Sequence, residues 1–127
     1  MEIAAFHAAF EGRDIMLGII QVLIAVATIA TGLISLVRPR SVTGFTGLTT
    51  TGPRGITEIR AVLGGVFVAL GVVPLVLGGA VTYQMLGITY LTVGAVRLIS
   101  MIVDRSWVSS NWISLGIEAV FGVLLIL

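Results

Sequence analysis

Positions 15–37 of the chain read IMLGIIQVLIAVATIATGLISLV, an apolar run without a charged side chain. About 20 apolar residues are enough for an α-helix to cross the hydrocarbon core of a bilayer. Three comparable apolar runs follow, over residues 56–78, 81–103 and 112–127. The pattern predicts an all-α integral membrane protein, a four-helix bundle in up-down-up-down order, with residues 1–127 as a single membrane domain.

The composition agrees with a protein that is surrounded by lipid. Hydrophobic residues make up 57% of the chain and charged residues 10%, with a mean hydropathy of +1.16, whereas soluble domains carry about 25% charged residues. A net charge of +1 gives no general attraction to nucleic acid, so the bilayer is the expected partner. The chain has no cysteine and a single histidine, and we expect neither a metal nor a cofactor.

The residues before the first run have helical periodicity of their own. Ile3, Phe6 and Phe10 are spaced for one face of a helix, and polar residues 11–14 follow them. We expect a short amphipathic helix that lies in the membrane interface and ends at those polar residues.

Positive charge is concentrated on one side of the predicted topology. The loop over residues 38–55 and the loop over residues 104–111 contain four arginines, whereas the opposite side has Arg13 alone. Cytoplasmic loops are enriched in basic residues. The sequence therefore predicts a bacterial inner (plasma) membrane protein with both loops in the cytoplasm and both termini outside. The four loop arginines are Arg38, Arg40, Arg54 and Arg105.

Four ionisable residues interrupt the apolar runs: Glu58, Arg60, Arg97 and Glu118. Such residues are rare inside membrane spans and usually have a partner. Arg97 and Glu118 both lie about 9 Å below the cytoplasmic boundary, on consecutive antiparallel spans. Glu58 and Arg60 enter from the same side, so we expect one neutral cluster of four charges, with Tyr90 deeper in the membrane.

The charges have two interpretations at this point. Arg97 and Glu118 form either a structural ion pair that fixes helix register or a site for a ligand, proton or partner. Glu58 is also suited to the positive end of its helix dipole, and Arg60 is close enough to the interface to extend to water.

Small residues recur at helical spacing on the second and third runs. Small side chains let membrane helices approach closely. We therefore expect helix packing, within the bundle or between subunits, along Ala61, Gly64, Gly65, Ala69, Gly87 and Gly94.

The stretch Gly55-Ile-Thr-Glu58-Ile-Arg60-Ala61-Val-Leu-Gly64-Gly65 resembles the Glu-x-Arg-Ala-x-x-Gly-Gly signature of a family of small bacterial four-span membrane proteins of unknown function. Arg97, followed by the loop at Asp104, is similar to a second motif of that family. The family broadly resembles the DoxX-like four-helix membrane proteins, some of which are linked to quinone-dependent oxidoreductases. The resemblance implies a four-span fold and marks these residues as signature positions, without an established activity.

Three classes of function follow from the sequence. The first is a non-enzymatic accessory or interaction subunit, whose partners are other membrane subunits or further copies of the chain; it is favoured because no nucleotide-binding, metalloprotease or nucleophile motif is present. The second is a binder or carrier of an amphipathic anionic small molecule or lipid, including a quinone-linked one. The third is a proton-coupled small transporter using Glu118, which Arg97 at the same depth disfavours because it would keep that carboxylate paired.

Overall fold

The computed structural model describes residues 2–127, with the side chains of residues 2–5 and 14–127. Over that part the chain is helical and contains no strand. The helices are α1 (Glu2–Val37), α2 (Pro39–Thr46), α3 (Pro53–Glu58), a π-helical segment (Ile59–Val66), α4 (Phe67–Leu77), α5 (Ala80–Val103) and α6 (Ser109–Ile126).

Four helical stretches are long and apolar enough to cross a membrane, which confirms the predicted all-α, four-span fold. We call them span one (Asp14–Val37), span two (Pro53–Leu77), span three (Ala80–Val103) and span four (Ser109–Ile126). Span two begins three residues earlier than the apolar run indicates, because Pro53 is its first helical residue. Proline is favoured there, since its fixed φ suits a helix and its missing N–H is not needed.

The chain before span one is helical, as expected, but it is not a separate helix. α1 runs without interruption from Glu2 to Val37. Residues 11–14 do not end it, since glutamate and arginine are good helix formers and a single glycine costs only about 1 kcal/mol. The apolar face expected from Phe6 and Phe10 lies outside the described side chains.

The connections define two ends of the bundle. At the loop end, residues 38–52 join spans one and two; they contain the short helix α2, which the sequence did not indicate and which stops at Gly47 in the left-handed conformation (φ 73°). Residues 104–108 join spans three and four at the same end. At the turn end, Gly78 and Gly79 join spans two and three, with φ values of 66° and 81° that favour glycine.

The four spans form a closed ring. Spans one and two pack extensively on each other, as do spans three and four, while span two also meets span three and span one meets span four. Each neighbour in sequence is thus a neighbour in space, which is the up-down-up-down order. The buried centre consists of Ile24, Ala25, Leu86 and Leu125, with Tyr83, Tyr90 and Phe121 packed against it.

Two polar contacts tie span one to the opposite hairpin. The hydroxyls of Thr28 and Tyr90 lie 2.6 Å apart and join spans one and three. Gln21 Nε2 donates to the carbonyl oxygen of Leu124 on span four at 3.0 Å. Hydrogen bonds between membrane helices each contribute about 1 kcal/mol to their association.

Spans one and two approach so closely that glycine is required at the contact. A Cβ atom on Gly71 would lie 2.6 Å from the carbonyl oxygen of Ala25, and one on Gly32 would lie 2.7 Å from that of Gly64. Contacts this short do not occur for real Cβ atoms. The two helices are therefore packed backbone to backbone at these points.

The variant Gly71→Ala tests this packing. We expect it to lower the free energy of unfolding by about 1–3 kcal/mol, the usual cost of overpacking, as measured by reversible unfolding in mixed micelles. The control is Gly18→Ala, since a Cβ there has no heavy atom within 4 Å. Helix propensity should leave this control as stable as the parent or slightly more stable. Equal stability of the two variants would contradict the close approach.

Candidate functional site

The candidate site is an ion pair between spans three and four. The Arg97 guanidinium donates to Glu118 Oε1 from Nη2 at 2.7 Å and from Nε at 3.0 Å, and Nε also donates to Oε2 at 2.9 Å. The Glu118 side chain is 9% exposed and that of Arg97 is 29% exposed. A neutral pair of this kind avoids the large cost of an isolated charge in an apolar medium.

A polar residue that the sequence analysis missed completes the site. Asn111 Oδ1 accepts a hydrogen bond from Arg97 Nη1 at 3.1 Å, and Asn111 Nδ2 donates to the carbonyl oxygen of Ser106 at 3.0 Å. Asn111 precedes Glu118 by two helical turns, so both side chains share one face of span four. That spacing is the signal by which the sequence could have identified it.

Glycines lie where spans three and four approach each other, and one of them, Gly94, faces Glu118. Gly94 lies one turn before Arg97 on the same face of span three, and a Cβ there would be 3.3 Å from the Cβ of Glu118. Further towards the turn end, a Cβ on Gly122 would lie 2.5 Å from the side chain of Leu91, and one on Gly87 would lie 2.8 Å from the Cβ of Leu125. Gly87 and Gly94 thus lie at helix contacts, and Gly122 is a further contact position.

The four charges that we expected in one cluster do not come together, because Glu58 and Arg60 have partners away from the Arg97–Glu118 pair. Glu58 pairs with Arg54 at 3.3 Å, and both side chains are exposed. Arg60 Nε donates to the carbonyl oxygen of Leu36 at 3.2 Å. The physical reason is the helix pairing, since the π-helical segment that holds Arg60 packs on span one. Glu58 lies beyond the first turn of span two, which begins at Pro53.

Arg60 and Gly64 both act on the last turn of span one. The last carbonyls of a helix have no partner within the helix and form the negative end of its dipole, where a cation is favourable. Arg60 bonds to one of them, that of Leu36. A Cβ on Gly64 would lie 2.7 Å from the Cγ of Leu36. Arg60 and Gly64 therefore hold span two against the end of span one.

The stretch over residues 58–65, which carries the resemblance to a family signature, overlaps the π-helical segment Ile59–Val66. π-Helical turns are rare and often occur at functional sites. Within this segment Gly64 is buried, whereas Ala61 and Gly65 are exposed, as is Ala69 one turn later. The small residues of span two are thus divided between a face inside the bundle and a face outside it.

Tyr90 belongs to the buried centre. Its hydroxyl pairs with Thr28, and its ring meets that of Phe121 edge-on, with centroids 5.5 Å apart and an interplanar angle of 87°. Edge-to-face geometry of this kind is a favourable aromatic contact. Among the described side chains, Tyr90 makes no hydrogen bond to Arg97 or Glu118.

A family model described as "Domain of unknown function (DUF4345)" matches residues 16–127 of the chain. The match covers all four spans, and the chain belongs to this family. No curated protein and no solved structure matches the chain.

The variant Asn111→Leu tests the polar extension of the ion pair. It would leave an Arg97 N–H and the Ser106 carbonyl without their partner, so we expect the free energy of unfolding to fall by about 1–3 kcal/mol. The matched control is Ser109→Leu, an exposed position in the same helical turn. Unfolding in mixed micelles measures both, and an Asn111 variant as stable as the Ser109 variant would show that the amide does not support the pair.

Proposed function

We propose that this member of the family is a non-enzymatic accessory or interaction subunit of a membrane assembly. The observation that supports this most is that the two charged side chains inside the bundle, Arg97 and Glu118, are bonded to each other. Glu118 accepts three hydrogen bonds from Arg97, and Arg97 also donates to Asn111. The pair is electrically neutral, and the Glu118 carboxylate takes all three of its hydrogen bonds from Arg97, as expected of an ion pair that sets helix register.

The transporter alternative depended on a carboxylate free to exchange a proton. For that role Glu118 would have to lie on a different face of the bundle from Arg97. In the structure, Arg97 Nη2 and Glu118 Oε1 lie 2.7 Å apart. This contact favours a structural pair over a proton carrier.

The outer face of span two is the surface that we assign to a partner. Ala61, Gly65 and Ala69 lie on one stripe at four-residue spacing and are exposed. The nearest atom to a Cβ on Gly65 would be the Arg60 carbonyl oxygen at 3.9 Å, within its own helix. Stripes of small residues at this spacing permit close helix–helix contact in membranes. The occupant that we propose is a transmembrane helix of another subunit.

The proposed topology follows from the distribution of arginine. The loop end contains Arg38, Arg40, Arg54 and Arg105. By the positive-inside rule this end lies in the cytoplasm, and the turn end lies outside an inner membrane. The accessory subunit would then present the π-helical part of the stripe in the cytoplasmic half of the bilayer.

A second candidate is a binder or carrier of an anionic amphipathic molecule. One observation favours it: the Arg97 side chain is 29% exposed, and two of its five N–H groups make no hydrogen bond to the described residues. If the outer face of span two contacts no other protein in the membrane, that result favours this candidate over the accessory role.

Site-directed cross-linking tests the accessory role. Because the chain has no cysteine, Ala69→Cys places a single thiol in the stripe for a maleimide–diazirine label, with Gly116→Cys on the exposed face of span four as the control. In native membranes we expect the Ala69 label to give an adduct that mass spectrometry identifies as a different membrane protein. Adding Gly65→Leu should reduce its yield several-fold, because the side chain blocks close approach.

Two results would contradict the proposal. Equal labelling from Ala69 and Gly116 would mean that the stripe faces only lipid. An adduct of twice the monomer mass, without any other partner, would make the stripe a homo-oligomer contact and contradict the proposal that a different subunit occupies it.

A further inference from the structure

Two adjoining cavities lie at the turn end of the bundle, away from the ion pair. The larger is a groove of about 470 Å³ on the outer side of span one, lined by Ile15, Gly18, Ile19, Gln21, Val22, Leu23 and Tyr83. The smaller, of about 140 Å³, has Asp14, Gln84, Gln21 and Tyr83 among its lining residues. Gly18, Gln21 and Tyr83 line both, so the apolar groove continues into the polar cavity.

Gly18 lies beside the open space of the groove and lines both cavities. It lies on the same stripe as Gln21, Ala25 and Thr28, which is the face that span one turns to the bundle. A Cβ on Gly18 would nevertheless have no heavy atom within 4 Å. The helices that close on this stripe nearer the loop end leave a space beside Gly18.

The dimensions suit one hydrocarbon chain. The groove extends from Ile15 to Leu23, which is roughly 12 Å along a helix at 1.5 Å per residue. Four of its lining residues are aliphatic and exposed, namely Ile15, Ile19, Val22 and Leu23. The groove starts one residue beyond Asp14, where span one begins. The polar cavity therefore lies at the depth of lipid head groups and the groove at the depth of acyl chains.

The polar cavity has the chemistry for an ammonium group beside a phosphate ester. Asp14 provides the only formal charge among its described side chains, and it makes no ion pair with a described residue. The Tyr83 hydroxyl has no hydrogen-bond partner within the described part of the chain, and Gln21 uses one of its two amide N–H groups. These are an acceptor for a cation and neutral donors for phosphate oxygens, and no basic side chain is among the described residues that line the cavity.

We infer that the turn end binds an aminophospholipid, with its primary ammonium at Asp14, its phosphate beside Tyr83 and Gln21, and one acyl chain in the groove over Gly18. A quaternary ammonium cannot donate a hydrogen bond to the carboxylate, and an anionic head group would meet Asp14 with unfavourable charge. The site is therefore selective for a primary amine. It is independent of the stripe on span two, so its failure would leave the proposed function unchanged.

Lipid retention measured by native mass spectrometry tests the inference. The full chain is released from nanodiscs that contain phosphatidylethanolamine, phosphatidylcholine and phosphatidylglycerol in equal amounts. We expect one phosphatidylethanolamine to be retained at several-fold enrichment over the other two. Gly18→Leu should abolish this adduct by filling the groove, whereas Gly116→Leu, at a glycine that also has open space, should retain it.

Asp14→Asn separates head-group selectivity from groove occupancy. Because position 14 is exposed, the variant should keep its fold and still retain a lipid. It should no longer prefer phosphatidylethanolamine over phosphatidylcholine. The inference is overturned if the parent protein retains no lipid, if it retains phosphatidylglycerol as well as phosphatidylethanolamine, or if Asp14→Asn keeps the preference. It is also overturned if Gly18→Leu retains as much lipid as Gly116→Leu.

Discussion

The pairing of Arg97 with Glu118 is the constraint on which the loop end of the bundle depends. Both charges lie within membrane spans, where an unpaired charge is unfavourable, and their side chains are 29% and 9% exposed. Removing one partner of such a pair usually costs about 3–5 kcal/mol, because the other charge is left unpaired. Spans three and four must therefore keep the register that joins them. Gly94 leaves space for the carboxylate, and Asn111 ties the guanidinium to the connecting loop.

Spans one and two are held together by a different principle. Their contact depends on backbone approach at Gly32, Gly64 and Gly71 and on Arg60, which satisfies a carbonyl at the end of span one. The two hairpins then meet through few polar contacts, of which Thr28–Tyr90 is the most buried. Spans one and two pack closely at Gly32, Gly64 and Gly71, whereas the packing around Gly18 is looser. The cavities at the turn end lie in this loosely packed region.

The sequence was sufficient for the spans and for the depth of the charges. Apolar runs of sufficient length predicted four helices, and counting residues from the loop placed Arg97 and Glu118 level with each other; the structure has them in contact. A side chain whose partner is a backbone atom cannot be placed by counting residues in this way. The carbonyl of Leu36 takes Arg60 out of the expected cluster, and nothing in the letters of the chain shows which carbonyl is free. The groove beside Gly18 depends on the tilt of helices, which hydropathy does not specify.

A double-mutant cycle measures how strongly Arg97 and Glu118 depend on each other. Arg97→Met, Glu118→Leu and the double variant are compared with the parent by reversible unfolding in mixed micelles. If the pair is the constraint at the loop end, each single change lowers the free energy of unfolding by about 3–5 kcal/mol and the double variant loses far less than the sum. Costs that add within about 0.5 kcal/mol would show that the two residues act independently and would contradict this expectation.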